Sequence, residues 1–268
     1  MIRFDKYSVA LKLSQDGVGR KDILAEVFNK RFLSNSEEIS EYKRFLDDNG
    51  VGVVASYENS YPCLLREISD YPLLLFTKGD ISLLKKPMIT IVGTRKMSKY
   101  GVWAVEYILR PFSGKKDIVV VSGLANGIDS CVHQTCLKFE IPTIGIVAGG
   151  LDRGYPKSNQ YIYDGIVEKG LVISEFPIGR PIIKGMFPMR NRILAGISSA
   201  TVVVESDIAG GSLITVNLAL EYSREIYAIP CNIDRYSLQG CNMTILEGAI
   251  PLFTNKQLTN FCKSLQQN

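Results

Sequence analysis

The sequence has little of what metal sites, secretion or membrane insertion require. It contains one histidine and six cysteines, and no two cysteines form a C-x-x-C pair, which argues against a zinc site. No segment approaches the roughly 18 consecutive apolar residues of a membrane-spanning helix, and the N-terminus has no uninterrupted apolar stretch of signal-peptide length. We therefore expect a cytoplasmic protein with reduced thiols, no bound metal and no membrane association.

Two common nucleotide-binding fingerprints are also missing. Residues 93–98, which follow the first predicted strand of the main sheet, read GTRKMS in place of Gly-x-Gly-x-x-Gly, and this argues against ordinary NAD or FAD binding. The chain has no Gly-x-x-x-x-Gly-Lys-Ser/Thr, which excludes the chemistry of a P-loop ATPase. We expect the protein to work without a cofactor.

Residues suited to catalysis are few. His133, the single histidine, lies in the middle of a predicted helix, where a packed histidine is the more common arrangement. Glu175 and Glu205 end two predicted strands and could form a carboxylate pair, although a buried or arginine-paired carboxylate is more common. The sequence therefore predicts a binding protein rather than an enzyme.

What the sequence does have is a repeating alternation of apolar runs and amphipathic segments. The apolar runs occupy residues 88–92, 118–121, 143–147, 171–176, 201–204 and 226–229. They are rich in valine and isoleucine and apolar throughout, as in strands buried on both faces of a parallel sheet. Helices are predicted at residues 100–109, 130–139, 161–168, 193–197, 213–222 and 243–247. This order predicts an α/β fold with a Rossmann-like, doubly wound, mostly parallel sheet.

The N-terminal region differs from this pattern. Residues 7–13, 23–32 and 37–46 carry apolar residues at three- and four-residue spacing, which predicts a small helical accessory domain at 1–55, with a short strand candidate at 51–55. Residues 56–86 are predicted to be a linker and an extended lead-in to the sheet. The Rossmann-like domain is predicted at 87–255, and a short C-terminal helix or tail at 256–268.

The strongest functional signal is a basic helix start after the fourth of these runs. Lys184, Arg190 and Arg192 place three fixed positive charges within nine residues, together with the ring of Phe187. Cations beside an aromatic ring suit phosphate binding combined with base stacking, which is how proteins hold single-stranded nucleic acid.

Two more cations, Arg95 and Lys96, follow the end of the first run. Loops at the carboxyl ends of parallel strands share one edge of the sheet, so we expect these side chains and the basic helix start to form one patch, the electrostatic footprint of a strand-binding groove. The net charge of +4 permits nucleic-acid binding without requiring it. Two alternatives stay open: the helix start is simply solvated, or Arg192 forms a salt bridge to Glu205 or Asp207.

Two glycine-rich turns are candidate anion sites. Residues 122–129 read SGLANGID and residues 210–212 read GGS. Glycine permits positive φ and close backbone approach, and the N–H groups at the start of the following helix attract anions. The candidate binding residues in these turns are Ser122, Gly123, Gly127, Gly211 and Ser212. The alternative is that both turns only connect sheet to helix, and Asp129 is interpreted as capping its helix.

Taken together, these loops resemble the DNA-processing protein A family (DprA, also called Smf). The matching segments, in family order, are residues 93–95, 122–129, 149–156, 174–181, 187–193, 203–205, 211–215 and 240–242. The most specific of them is FPMRNRI at 187–193, which adds Asn191 to the basic helix start. The resemblance covers roughly residues 60–250 and implies a Rossmann-like domain that binds single-stranded DNA and is not known as an enzyme.

The resemblance also implies contacts and partners. Mapped by motif, the positions that contact DNA would be Arg95, Lys184, Phe187, Arg190 and Arg192, with backbone help from residues 122–127. The family protects single-stranded DNA and loads RecA recombinase onto it during natural transformation or recombination. Its members pair as homodimers through the Rossmann domain, and single-strand-binding protein is a further candidate partner.

Two modules of the family compare less closely with this chain. The N-terminal helices resemble the SAM-like accessory domain only weakly. Many members carry a C-terminal winged helix, and we expect none here because too few residues follow Ala249.

Two other classes of protein share the predicted fold. Rossmann proteins of the lysine-decarboxylase-like type hydrolyse nucleotide N-glycosidic bonds and carry a Pro-Gly-Gly-x-Gly-Thr-x-x-Glu loop. Residues 209–215 here read AGGSLIT, without the leading proline or the following acid, which argues against that activity. A nucleotide-binding module with no DNA role would leave the basic run at 187–192 without a purpose.

Overall fold

The described part of the chain is organised around one β-sheet. The computed structural model describes residues 4–15, 23, 35–235 and 238–264. Its strands are β1 Gly52–Ala55, β2 Leu74–Gly79, β3 Met88–Val92, β4 Val119–Ser122, β5 Thr143–Ile146, β6 Leu171–Ser174, β7 Ala200–Val203, β8 Glu225–Ala228 and β9 Ile250–Pro251. Within the described residues they form a nine-stranded sheet in the order β1-β2-β6-β5-β4-β3-β7-β8-β9.

The pairing of these strands is mostly parallel. Each neighbouring pair from β6 across to β9 is parallel, whereas β2 is antiparallel to both β6 and β1. Strands β4, β5 and β6 lie successively on one side of β3, and β7, β8 and β9 lie on the other. This order confirms the predicted doubly wound sheet and places the switch in strand order between β3 and β7, the position where ligands collect in such sheets.

Helices cover both faces of the sheet. They are α1 Lys6–Ser14, α2 Ser36–Asp48, α3 Cys63–Glu67, α4 Lys99–Leu109, α5 Ile128–Lys138, α6 Gln160–Lys169, α7 Met186–Gly196, α8 Gly211–Glu221, α9 Gly240–Leu246 and α10 Asn255–Ser264. Val105 of α4 and Phe261 of α10 belong to the core under one face, and Leu194 of α7 and Val216 of α8 belong to the core under the other. Every residue of β3 to β7 is buried, which explains why these runs are apolar throughout.

The strand candidate at 51–55 is found as β1, and the lead-in to the sheet contains β2. Val53 of β1 pairs with Phe76 of β2, so the predicted domain boundary at residue 55 lies between two paired strands. Val9 of α1 and Leu46 of α2 share a core with Phe76. Pairing with β2 also satisfies the open edge of β6, which would otherwise present unpaired backbone groups. Except for Ile23, the predicted helix at 23–32 lies outside the described residues.

Two further observations concern the length of the helices and the state of the cysteines. Among the described residues, no helix combines the length and the apolar character that crossing a bilayer demands. All six cysteines are free thiols.

Candidate nucleic-acid interface

A large cleft opens at the carboxyl ends of β3 and β7, where the strand order reverses. Its volume is about 1010 Å³. The sequence-predicted residues that line it are Arg95, Lys96, Lys184, Phe187, Arg190, Asn191, Gly211 and Ser212. The fold therefore brings together most of the residues that the strand-end argument places on one edge.

Helix α7 presents one face to this cleft. Phe187, Arg190, Asn191 and Leu194 all line it, at the spacing i, i+3, i+4 and i+7 that puts side chains on a single helical face. Because the helix turns by about 200° over two residues, the side chain two positions beyond Arg190 must point elsewhere.

Phe187 is half-buried at the floor of the cleft. The guanidinium carbon of Arg95 lies 5.4 Å from the centroid of its ring, and the Tyr155 ring lies 5.9 Å away, centroid to centroid. A smaller pocket of about 110 Å³ adjoins these three side chains. The cleft thus offers flat aromatic and guanidinium surfaces of the kind on which planar rings stack.

The charge of the cleft is positive. Exposed Lys96 and Lys184 lie at its rim. The sequence argument missed Arg235, which also lines the cleft; it follows the end of β8 by seven positions, and a survey of cations beyond every strand end would have found it. Against these cations stand two acids of the lining, Asp129 and Asp207.

Arg190 is largely buried, although it lines the cleft. Its Nη1 donates to the carbonyl oxygens of Gly123 and Ile146, which tie α7 to the ends of β4 and β5. A Cβ on Gly123 would lie 2.5 Å from Asp129 Oδ2 and 2.6 Å from Arg190 Nη1, so a larger residue there would displace these two side chains. Burial raises the pKa of Asp129 and the Arg190 charge opposes that rise. Arg190 therefore shapes the cleft floor as well as charging it.

The structure places Arg192 outside the basic patch. Its Nη2 donates to Glu175 Oε1 over 2.6 Å, and its Nε lies 3.3 Å from Asp70 Oδ2. Its side chain is 7% exposed. Arg192 does form salt bridges, as one of the two alternatives predicts, but its partners are Glu175 and Asp70 rather than Glu205 or Asp207. Arg192 therefore fastens α7 to the sheet, and it is not among the residues that line the cleft.

The turn after β4 is also structural. Ser122 is fully buried and its hydroxyl donates to Ile91 O. At the start of α5, the Ile128 N–H donates to Thr94 O over 3.1 Å, and the Asp129 carboxylate accepts from the Ala125 N–H nearby. Protein groups therefore already accept from two N–H groups of the predicted anion site, and these contacts support its connecting role. Ala125 and Asp129 of the turn also line the cleft, and Gly123 lines the smaller pocket.

Gly127 offers a test of that structural role. Its φ is +83°, and a Cβ there would lie 2.3 Å from Thr94 O. We expect Gly127→Ala to lower the free energy of unfolding by about 1–3 kcal/mol, since the side chain forces a strained backbone and displaces the turn after β3. Urea denaturation measures the change. Gly211→Ala is the matched control because no atom lies within 4 Å of its added Cβ; equal stability of the two variants would contradict the assignment.

The turn before α8 is open by comparison. Gly211 and Ser212 line the cleft, and the Ser212 hydroxyl shares a 2.7 Å hydrogen bond with Ser206. The capping residue, Gly210, has no side chain to cover the first N–H groups of the helix. This end of α8 therefore directs the positive end of a helix dipole into the cleft.

The candidate catalytic groups serve the fold. Glu205 Oε2 accepts from the Ser98 N–H over 2.8 Å, and Glu175 is held by Arg192, so the two carboxylates do not form a pair. His133 is fully buried, with Nδ1 2.8 Å from Thr143 Oγ1. Burial lowers the pKa of His133 from its ordinary 6.5 to about 3, which leaves it neutral and packed, the more common arrangement for such a residue.

This buried histidine predicts acid sensitivity. Below pH 6.5 His133 is protonated in the unfolded chain, whereas in the folded chain it stays neutral down to about pH 3. The free energy of unfolding should therefore fall by about 1.4 kcal/mol for each pH unit below about 6.5. Urea denaturation between pH 7 and pH 5 measures this slope, and His133→Asn should flatten it because the chain has one histidine. A stability that stays constant over this range would contradict the prediction.

Comparison with known proteins gives consistent matches. A sequence profile of the family described as DNA recombination-mediator protein A matches residues 52–263. The DNA processing protein DprA of Streptococcus pneumoniae is 42% identical over 192 residues, which cover 72% of this chain and 67% of that protein. An X-ray structure of DprA from the same species superposes with a TM-score of 0.77 at 33% identity, over 95% of this chain and 92% of that one. DNA processing protein A from Helicobacter pylori, whose structure describes its single-stranded DNA binding mode, gives a TM-score of 0.71 at 27% identity, over 81% and 96% of the two chains.

Proposed function

Because the chain belongs to the DNA recombination-mediator protein A family, we propose that its cleft at the ends of β3 and β7 binds single-stranded DNA. The observation that carries this proposal is the convergence of Phe187 with Arg95, Lys96 and Lys184 in one cleft of about 1010 Å³. Cations and a stacking ring in the same groove are what a single strand needs and what a small apolar ligand does not.

The mechanism divides between the two kinds of side chain. Lys96 and Lys184 follow the phosphates from the rim, and the start of α8 at Gly211 adds backbone N–H groups. A base stacks on the Phe187 ring, in the place that Arg95 occupies in the free protein. Arg95 is exposed, so its guanidinium is free to turn toward a phosphate when the base enters. None of these contacts depends on base identity, and binding should tolerate any sequence.

The proposal assigns binding rather than catalysis to this cleft. The acids that follow β6 and β7 both have structural partners. Glu175 forms an ion pair with Arg192, and Glu205 accepts a hydrogen bond from the Ser98 N–H. His133 is buried and neutral at physiological pH. Among the residues that the structure describes, no three histidine, cysteine or acidic side chains converge on a possible metal position. The lysine-decarboxylase-like alternative has no acid in its loop to take part in hydrolysis.

We further propose the cellular process in which this binding takes place. The protein acts in the cytoplasm, where it protects incoming or exposed single strands and loads RecA recombinase onto them during natural transformation or recombination. Single-strand-binding protein is a further partner. This chain works as a homodimer. The sheet edge at β9, together with helices α8 and α9, supports such an interface because Leu220, Leu246 and Ile250 are exposed there.

Fluorescence anisotropy tests the function directly. Labelled single- and double-stranded oligonucleotides of the same sequence are titrated with the full chain at two salt concentrations. We expect tighter binding of the single strand, which weakens as salt increases because bound counterions are released. Folded protein that binds neither form would overturn the DNA assignment and direct the search to nucleotides.

A further inference from the structure

Helix α4 carries a row of stacked aromatic rings on its outer surface. The ring centroids of Tyr100 and Trp103 are 5.8 Å apart with an interplanar angle of 27°, and those of Trp103 and Tyr107 are 5.2 Å apart with an angle of 14°. Trp103 is 56% exposed, which is unusual for the largest apolar side chain. We call Tyr100, Trp103 and Tyr107 the aromatic face.

Positive charge flanks the aromatic face at both ends. Lys99 precedes Trp103 by four residues and Arg110 follows it by seven, so both lie on the same side of the helix, and both are exposed. Glu106 also belongs to α4, but its carboxylate is 2.9 Å from Lys138 Nζ, so its charge is compensated. Rings combined with nearby cations are typical of a surface that holds single-stranded nucleic acid.

The aromatic face begins where the cleft ends. Lys96 of the cleft rim lies only four positions before Tyr100. On the opposite side, the Tyr100 hydroxyl donates to Pro230 O over 2.6 Å, and the segment that follows Pro230 returns to the cleft through Arg235. The aromatic face therefore starts beside two segments that line the cleft. From Tyr100 to Tyr107 the helix rises by about 10 Å, the length of roughly three stacked bases.

We propose that the aromatic face is a second segment of the path of single-stranded DNA, on which bases leaving the cleft stack against Trp103. This inference rests on the proposed function of the cleft and extends it. It predicts that short oligonucleotides occupy the cleft alone, whereas longer ones also cover the aromatic face. The exposed cations at its ends and its position beside the basic rim favour DNA over a second copy of this chain.

The test uses the fact that Trp103 is the single tryptophan in the chain. Its emission is recorded while the protein is titrated with oligothymidylates of about 5 and about 20 nucleotides, lengths that bracket common site sizes. We expect the longer oligonucleotide to quench Trp103 and the shorter one to leave it unchanged. Trp103→Ala should weaken binding of the longer oligonucleotide by roughly 5-fold to 100-fold, and Trp103→Phe should restore most of it. Tyr161→Ala, which removes an exposed ring from α6, is the matched control.

Each outcome separates this inference from the function on which it rests. Wild-type protein that binds neither oligonucleotide would overturn both. A different result would overturn the second segment and leave the cleft assignment standing. In that case the wild-type protein binds both oligonucleotides without a change in Trp103 emission, and Trp103→Ala binds them with full affinity. A loss of self-association in Trp103→Ala at unchanged DNA affinity would assign the aromatic face to a second copy and also overturn the inference.

Discussion

Replacing both Phe187 and Lys184 by alanine is expected to weaken binding of single-stranded DNA by about 20-fold to 500-fold. Loss of a stacking ring costs about 1–3 kcal/mol per base, and loss of one phosphate contact weakens binding further at physiological salt. Lys184 is exposed and Phe187 half-buried, so the double variant should fold. Anisotropy with a labelled oligothymidylate measures the affinity.

The single variants separate the two contributions. Phe187→Ala should lower the affinity without changing its dependence on salt, whereas Lys184→Ala should reduce the slope of log K against log salt by about 0.7. Phe187→Leu keeps the apolar volume but removes the stacking surface, and should behave like Phe187→Ala. Lys169→Ala, an exposed lysine at the end of α6, should change neither quantity. Unchanged affinity and slope in the double variant would mean that DNA binds elsewhere.

The residues of α7 show how far the sequence alone could define this cleft. The motif FPMRNRI predicts Phe187, Arg190 and Asn191 in the cleft, and all three line it. The same motif also proposes Arg192, which the structure buries against Glu175. Helical spacing could have distinguished Arg190 from Arg192, because residues two positions apart do not share a face of a helix. The identity of the ion-pair partner was not available from spacing, since it depends on where the loop after β6 returns.

The two glycine-rich turns illustrate what spacing cannot decide. Both are predicted as anion sites from the same physical argument, and Ala125 and Asp129 of the first turn line the cleft alongside Gly211 and Ser212 of the second. The turn at Gly127 is filled by Thr94 O, a backbone group from the loop after β3. Whether a helix start is open depends on which neighbouring loop packs against it, and that is a contact between segments distant in the sequence.

The sheet shows the same division between local and distant information. Uniformly apolar runs predicted the parallel strands because burial on both faces leaves a clear pattern in each strand. Strand β2 lies in the segment that is predicted to be extended and to enter the sheet, whereas the sequence predicts no strand at β9. β9 consists of Ile250–Pro251 and pairs, within the described part of the chain, with β8 alone, so it is too short for any periodicity. Its position is set by tertiary pairing.

Replacing Arg192 by alanine should destabilise the protein strongly and affect DNA binding only through folding. The change removes the guanidinium that faces Glu175, whose side chain is 11% exposed, and breaking one side of a buried ion pair costs about 3–5 kcal/mol. Chemical denaturation should show this loss. At low temperature, where the variant is still folded, its affinity for single-stranded DNA should equal that of the wild type, because Arg192 does not line the cleft.

The control for this prediction removes both charges together. Arg192→Met combined with Glu175→Gln leaves no uncompensated buried charge, so it should recover much of the stability that Arg192→Ala loses. If Arg192 instead contacted DNA, the double variant would be stable but would bind DNA weakly with a shallower salt dependence. The two assignments of Arg192 therefore predict different affinities for a stable double variant. If the double variant is stable but binds DNA weakly, Arg192 belongs to the basic patch. The geometry of the 2.6 Å contact to Glu175 supports the first outcome.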